Sequence, residues 1–341
     1  DTIAKNPGNV VEALLGLFTR PRKVGHLREV LYTRAAGRER RDDLVPKGAR
    51  AAVERHLSHA QVRATVEETP TGLAVHYALG ALQPRVSIVV PFKDKPELLE
   101  QLVRSLALTR YAPIELLLVS NDSRQARTRE VLSALEGEGV RKLEWNPPFN
   151  YPAINNFAAK QARGELLLFL NNDIEIVDPE WLGTLVAHLA QPGVAAVGPK
   201  LLFPDGRLQH AGVVVGLSGF AGHPFAQLPD DGRWTPFGVA DWPREYLALT
   251  SACLLVRRAD FERVGGFDER FTVCGGDVDL CLRLRKGGGR IVYTPRTHLV
   301  HHESASRSGD AIPASDFWES FRSYGPWLAG DPFYSPHLSL A

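Results

Sequence analysis

Residues 165–175, ELLLFLNNDIE, place the tightest constraint on the fold. Five large apolar residues, Leu166 to Leu170, run directly into Asn171, Asn172, Asp173 and Glu175. An unbroken apolar run of this length predicts a strand buried on both faces of a parallel sheet. Polar side chains at its carboxyl end would then stand in the crevice where such sheets bind ligands. Oxygen-rich side chains there suit a hard divalent cation holding a diphosphate, because Mg²⁺ or Mn²⁺ takes one or two carboxylates and completes its shell with phosphate oxygens and water. A plain Asn/Asp turn closing a strand accounts for the same residues without chemistry. This stretch alone leaves both readings open.

The chain around it alternates. VSIVV (86–90), a helix over about 95–108, IELLLV (114–119), a helix near 126–136 and VRKLEW (140–145) predict a parallel sheet covered by helices. Asp94 is the expected N-cap of the first helix, with Pro96 in its first turn. A helix over about 152–162 leads into the central strand, and Asp178-Pro179 opens another whose Trp181, Leu182, Leu185 and Leu189 face inward. VAAVG (194–198), a hairpin over 201–215, a long loop over about 216–246, ACLLV (252–256), a short helix from Ala259, a helix begun by CGGDVD and RIVYT (290–294) complete this body. Ahead of it, residues 9–60 carry helical spacing, and VRATVE and LAVHYAL flank Thr69-Pro70-Thr71-Gly72 as a β-hairpin. The expected division is a helical and hairpin appendage over 1–84, a main domain over 85–307 and a tail over 308–341 that packs on it.

Charge excludes some partners. Lys plus Arg number 40 against 39 Asp plus Glu, so nothing global favours nucleic acid. Residues 1–60 hold 12 basic and 7 acidic residues, which makes the appendage at most a weak docking surface. Cys253, Cys274 and Cys281 have neither zinc-like spacing nor an even count for disulfides, and no apolar run reaches 18 residues. A cytoplasmic location follows as the expectation, peripheral at the inner face of a membrane at most. No methionine occurs, even at position 1, so the chain is expected to be a processed or excised piece of a longer one, with further domains as partners.

The first strand runs into VVPFKD rather than GxGxxG, and no GxxxxGK[ST] occurs, so ordinary dinucleotide and P-loop binding are not expected. Polar strand ends remain: Lys93 and Asp94 after the first, Ser120, Asn121 and Asp122 after the second. Such groups can bind a nucleoside, and Asn121-Asp122-Ser123 is equally an ordinary turn. Asp277 and Asp279 follow Gly275-Gly276 at a helix start, where capping and general-base roles both fit. His301, His302 and Glu303 follow the last strand as solvated loop residues, metal ligands or phosphate contacts.

In this order the motifs resemble the family 2 glycosyltransferases of the GT-A fold, inverting enzymes that use nucleotide sugars. The resemblance spans about Val86 to Arg307. VSIVVPFKDKPELLEQLVRSL is similar to the opening nucleotide-binding strand and helix, and NNFAAKQARGELLLFLNND to the stretch that ends in the metal motif. RRADFERVGGFDERF with GGDVDLCLRLR resembles the segment carrying the catalytic acids, and VHHESASR the His-containing end. With LQHAGVVVG (208–216) and the hairpin, the whole looks most like bacterial O-antigen or rhamnan-type polysaccharide synthesis proteins.

The resemblance implies a mostly parallel nucleotide-binding sheet flanked by helices. Its donor would be a nucleotide sugar, its acceptor a saccharide or lipid-linked saccharide, and its cofactor Mn²⁺ or Mg²⁺. It assigns Asp277 as catalytic base. Nucleotide contacts fall to Pro91, Phe92, Asp94, Asn121, Asp122, Asn156, Asn171 and Asn172, and metal contacts to Asp173 and His301, preferred over His302 for its spacing to Ser306. Asp279 is a further acceptor candidate, and of Trp234, Trp242 and Tyr246, in or beside the 216–246 loop, at least one is expected to line the acceptor site because aromatic rings pack on the C–H faces of sugars, with core packing the alternative for each. Three departures stand out: Asn171-Asn172-Asp173 replaces Asp-x-Asp, Gly276-Asp277 replaces the usual acid pair, and Ser120-Asn121-Asp122 lacks the leading acid. They sustain a rival reading, a binding or scaffold domain of a larger synthase that has lost turnover.

Overall fold

The computed structural model describes residue 15 and residues 45–135, 139–302, 312–328 and 330–340. The expected helices before residue 45 and the Glu303–Arg307 end of the His motif lie outside these residues. The chain divides into two compact units, 1–78 and 79–341. In the first, helix α1 (Ala49–His59) is followed by β1 (Ala64–Thr69) and β2 (Gly72–Tyr77), which pair antiparallel with Thr69 opposite Gly72, the expected hairpin.

The second unit opens with β3 (Val86–Phe92), α2 (Pro96–Leu106), β4 (Ile114–Asn121), α3 (Ala126–Ala134), β5 (Val140–Trp145), α4 (Tyr151–Gln161) and β6 (Leu166–Leu170). Then come β7 (Ile174–Ile176), α5 (Trp181–Leu189), β8 (Val194–Leu202), β9 (Leu208–His210), β10 (Val214–Val215) and β11 (Ala221–Gly222). The chain continues through β12 (Arg244–Tyr246), β13 (Cys253–Arg257), α6 (Arg258–Arg263), α7 (Gly276–Lys286), β14 (Arg290–His301) and α8 (Ala314–Leu328).

One sheet runs β12-β14-β8-β13-β6-β3-β4-β5, with β7 on β14 and β9 on β8. Alternation sends β6 into two cores: Leu167 and Phe169 pack with Ile154, Ala158 and Leu280 on one face, and Leu166, Leu168 and Leu170 with Leu99, Leu102 and Trp181 on the other. Helices therefore cover both faces, and every residue of β3 and β6 is buried. The neighbours of β6 correct the sequence reading, since β3 is parallel to it and β13 antiparallel. Burial on both faces yields an apolar run whichever way the neighbour points, so the pattern could not tell them apart.

Two further details differ. Helix α2 begins after Lys95 in a left-handed conformation without a side-chain cap. Asp94 instead reaches across, its Oδ1 accepting the Arg124 and Gln125 amides at 2.9 Å each at the start of α3. Inside the sheet, the Glu115 carboxylate accepts from the Ser87 hydroxyl at 2.5 Å and the Gly164 amide at 3.2 Å, and from the Arg163 amide. A Cβ on Gly164 would lie 2.6 Å from Ser87 Oγ and 2.7 Å from the Arg85 carbonyl, so Arg163-Gly164-Glu165 has no alternative to glycine at its centre.

Candidate active site

Asp173 sits where β6 ends. The chain turns immediately into β7, which pairs antiparallel with the last residues of β14, His301 opposite Ile174. That pairing carries the His301 imidazole to Asp173, Nε2 to Oδ1 at 3.1 Å, with both side chains buried. His302 turns away, its Nε2 2.9 Å from Glu175 and 2.8 Å from the Gln101 amide. The spacing to Ser306 preferred His301, and backbone alternation gives the two imidazoles different partners.

Asp277 arrives from α7. Gly275 has φ of 87°, and a Cβ there would lie 2.7 Å from the Tyr324 hydroxyl, so the turn into the helix requires glycine. Asp277 Oδ2 accepts the Ser251 amide at 3.0 Å and Oδ1 accepts the Val278 amide at 2.9 Å, which fixes the carboxylate. Helix α8 braces the approach. Asp316, buried, accepts the amides of Thr272, Val273 and Cys274 at 2.8 to 3.0 Å, and Tyr324 donates to the Gly275 carbonyl at 2.7 Å. Burial first, and then the Asp277 charge, pushes the Tyr324 phenol well above its ordinary range, so it stays a neutral donor. Sequence reading missed Asp316 and Tyr324 because both follow the last motif and reach the site only through tertiary packing.

Asp173, His301 and Asp277 line one cavity of about 220 Å³, together with Tyr151, Gln209 and His223, and among the described residues the lining contains no lysine or arginine. The donor set there suits an ion with few protein ligands. The Asp173 carboxylate and the His301 imidazole, 3.1 Å apart and bonded to each other here, could both turn to one divalent ion that accepts oxygen and nitrogen. No group of three or more His, Cys, Asp or Glu side chains that could hold a metal occurs among the described residues. Phosphate and water would have to supply the remaining ligands. His301 Nδ1 and Asn172 Nδ2 are buried and have no hydrogen-bond partner among the described residues, as expected where a ligand's polar atoms are to come.

The other expected contacts divide sharply. Asn171 lines the cavity. Asn121, buried, donates weakly to the Trp145 and Pro147 carbonyls at 3.3 and 3.4 Å, and its Oδ1 has no partner. Asp122 is paired with Arg124 at 2.8 Å. Pro91 and Phe92 are buried within β3, Phe92 in the core, so only their backbone can face a nucleotide. Asn156 corrects the expectation: its amide donates to the Phe267 carbonyl and Glu269 carboxylate and accepts the Phe267 amide, all at 2.9 Å, which makes it a clamp on the Gly265-Gly266-Phe267 turn. Asp279 is a second correction. Arg283 and Ser323 occupy its two oxygens at 2.6 Å each, and it does not line the cavity. Tyr246 is a third, fully buried in the core. Trp234 and Trp242 stack edge to face with centroids 4.8 Å apart, outside the cavity lining.

Solved structures share this architecture. A mannosyltransferase from Pyrobaculum calidifontis, in complex with GDP-Man and Mn²⁺, superposes with a TM-score of 0.53 over 73% of this chain and 69% of that one at 18% identity. GalNAc-T7 with UDP, GalNAc and Mn²⁺ gives 0.57 over 74% and 53% at 15% identity. The fold is thus that of the GT-A glycosyltransferases. Residues 87–216 match the model of glycosyl transferase family 2.

O-antigen biosynthesis protein RfbC of Myxococcus xanthus is 51% identical over 339 residues, 96% of this chain and 26% of the relative. An N-acetylglucosaminyl-diphospho-decaprenol L-rhamnosyltransferase of Mycobacterium tuberculosis is 27% identical over 71% of this chain and 83% of its own length. The chain spans about a quarter of the first of these relatives. No helix among the described residues is long and apolar enough to cross a membrane.

Proposed function

We propose that this domain is an inverting, divalent-metal-dependent glycosyltransferase that moves a sugar from a nucleotide-sugar donor to a saccharide or lipid-linked saccharide in bacterial surface polysaccharide synthesis. One observation carries the reading: a carboxylate held by two backbone amides, Asp277, lines the same cavity as the Asp173–His301 pair. The names of the relatives and the ligands of the structural neighbours support the substrate classes.

In this reading Asp277 takes the proton of an acceptor hydroxyl as that oxygen bonds to the anomeric carbon, while the bond from that carbon to the donor's diphosphate breaks. The amides of Ser251 and Val278 orient the carboxylate for this. A single displacement inverts the anomeric configuration. Among the described residues the cavity offers no spare carboxylate for a covalent intermediate, because its other acid, Asp173, is engaged by His301. Asp173 and His301 would hold the metal, which when bound neutralises charge on the diphosphate. Asn171, at the cavity wall, and Asn172, with its unpartnered amide, are the candidates for ribose or diphosphate contacts.

The test is calorimetry with UDP, GDP and dTDP, with and without Mn²⁺. Asp173→Ala is expected to remain folded and lose the Mn²⁺-dependent part of the binding; unchanged affinity would remove the assignment. The scaffold reading draws on the lack of a three-ligand cluster among the described residues. Nucleotide binding without nucleoside diphosphate release from any nucleotide sugar would favour it.

A further inference from the structure

LQHAGVVVG is the one motif to which the mechanism above gives no role. Strand β9 runs through it on the edge of β8, and Leu201 pairs with His210. His210 is 1% exposed, and its Nδ1 lies 3.0 Å from Nδ1 of His223, a half-buried residue that lines the cavity. Two facing ring nitrogens at that distance need one proton between them, so one ring donates and the other accepts.

The surroundings of His210 decide which. Burial first, and then the neighbouring His223 and His301 rings, hold its pKa well below the ordinary value, so His210 is neutral. Its Nε2 is buried and has no partner among the described residues. An orphaned buried N–H is rarer than an orphaned lone pair, because a lone donor forfeits more. The proton of His210 therefore sits on Nδ1 and is donated to His223, and the proton His223 carries is on Nε2.

We propose that His223 is a substrate-binding residue whose Nε2–H donates a hydrogen bond to the diphosphate of the donor, with His210 as the positioning residue that fixes its tautomer and ring. Three features point to the diphosphate. Among the described residues the cavity lining has two carboxylates and no lysine or arginine, so the donors these residues offer a polyanionic ligand are imidazoles and amides. His223 lines the same cavity as the Asp173–His301 pair that would hold the metal. Asp277, at the other functional point, is held by Ser251 instead. The proposal rests on the donor-binding reading above.

Two measurements test it. Long-range ¹⁵N–¹H spectra of histidine-labelled protein should show His210 as the Nδ1–H tautomer and His223 as Nε2–H; the reverse pair overturns the assignment. Calorimetry with UDP, GDP and dTDP in Mn²⁺ should show His223→Ala about tenfold or more weaker, the loss of a hydrogen bond to a charged group. His223→Gln, whose amide can donate from the Nε2 position, should recover most of that affinity. His210→Ala should weaken binding while His210→Asn, able to donate from the Nδ1 position, restores it. If His223→Ala and His223→Gln both bind as wild type while Asp173→Ala does not, His223 has no diphosphate contact and the donor-site reading survives. If wild type binds none of the three nucleotides, both fall.

Discussion

On the parallel side of the sheet, β3 and β4 end in polar residues that bond mainly to protein. Asp94 caps the start of α3, Asp122 pairs with Arg124, and Asn121 donates to the Trp145 and Pro147 carbonyls. On the mixed side, the chain delivers Asp173, His301, Asp277, Gln209 and His223 to one cavity from five separate places. The parallel half is assembled from neighbours in sequence joined by helices; the mixed half pairs β6 with β13 and β14 with both β7 and β8, each across several intervening elements. A scaffold closed locally can tolerate chemistry closed at long range. The energetic consequences of substitution should separate along the same line, stability on one side and turnover on the other.

The largest expected effect is at Asp277. Asp277→Asn keeps the shape and one of the two amide contacts, to Ser251 or to Val278, but removes the base, and should cost about 10²–10⁴ in turnover with little change in nucleoside diphosphate affinity. Asp279→Asn should instead loosen the Arg283 and Ser323 contacts and lower the melting temperature. Steady-state rates and thermal melts of both variants check this. A folded, inactive Asp279→Asn beside an active Asp277→Asn would exchange the roles.

Glu115 is the matching test on the parallel side. It is 2% exposed and ties β4 to Ser87, to the Arg163-Gly164 turn and, at 3.5 Å, to Arg141. Glu115→Gln can keep an oxygen on the Ser87 hydroxyl and the two amides, but it removes the charge they bond to and turns the other oxygen into a donor facing Arg141, and should destabilise by about 1.5–3 kcal/mol. Turnover per folded molecule should hold. Burial alone pushes this carboxyl up, but the Ser87 hydroxyl, the Arg163 amide, the Arg141 charge and the Gly164 amide outweigh it and hold the group below its ordinary 4.5. A depressed folded value means the network stabilises fully above the unfolded value and loses its contribution as pH falls through the folded one. The gap between wild type and Glu115→Gln should therefore be widest at neutral pH and close in acid, as denaturant melts would show.

How much the sequence disclosed follows the same division. The strands and helices from Val86 to Leu170 were legible because apolar runs, Pro96 and turn residues act locally, and the Leu166–Leu170 run led to Asp173. The direction of β13 was hidden, since a strand buried on both faces reads the same beside either neighbour. Asn156 and Tyr246 carried residue types that suit ligands, but their partners, the Phe267 turn and the core around Gly212, are remote in the chain. Asp316 had no motif around it at all. Its three accepted amides exist only once α8 docks.

Asp316→Asn comes next in size. One oxygen becomes an amine facing the Val273 and Cys274 amides, or the Thr272 amide if flipped, and leaving buried donors unmatched costs about 1–3 kcal/mol. The loop it holds runs straight into Gly275, Gly276 and Asp277. Turnover should fall as well, by roughly tenfold if the carboxylate shifts by a fraction of an ångström. Nucleoside diphosphate affinity should stay close to wild type, because Asp173 and His301 are held by β7 and β14 rather than by α8. Loss of affinity in step with turnover would mean that α8 braces the whole cavity and not the Asp277 side alone.

The smallest effect is expected at Trp234. More than half exposed, it contacts Trp242 edge to face, and Trp242 in turn lies under the Arg244 guanidinium at 5.6 Å. Removing an exposed ring of this kind should change stability by no more than about 0.5–1 kcal/mol. Neither tryptophan lines the cavity, so donor affinity should not move. A saccharide acceptor longer than one residue would extend beyond the cavity, and a flat exposed ring there offers contact area at low entropic cost. Trp234→Ala is accordingly expected to raise the acceptor Michaelis constant several-fold, on the order of the 0.5–1.5 kcal/mol such ring contacts contribute, with the donor constant and melting temperature unchanged. An unaltered acceptor constant, measured with a long acceptor and with a single sugar, would take this loop out of the acceptor surface and leave acceptor recognition to the cavity walls.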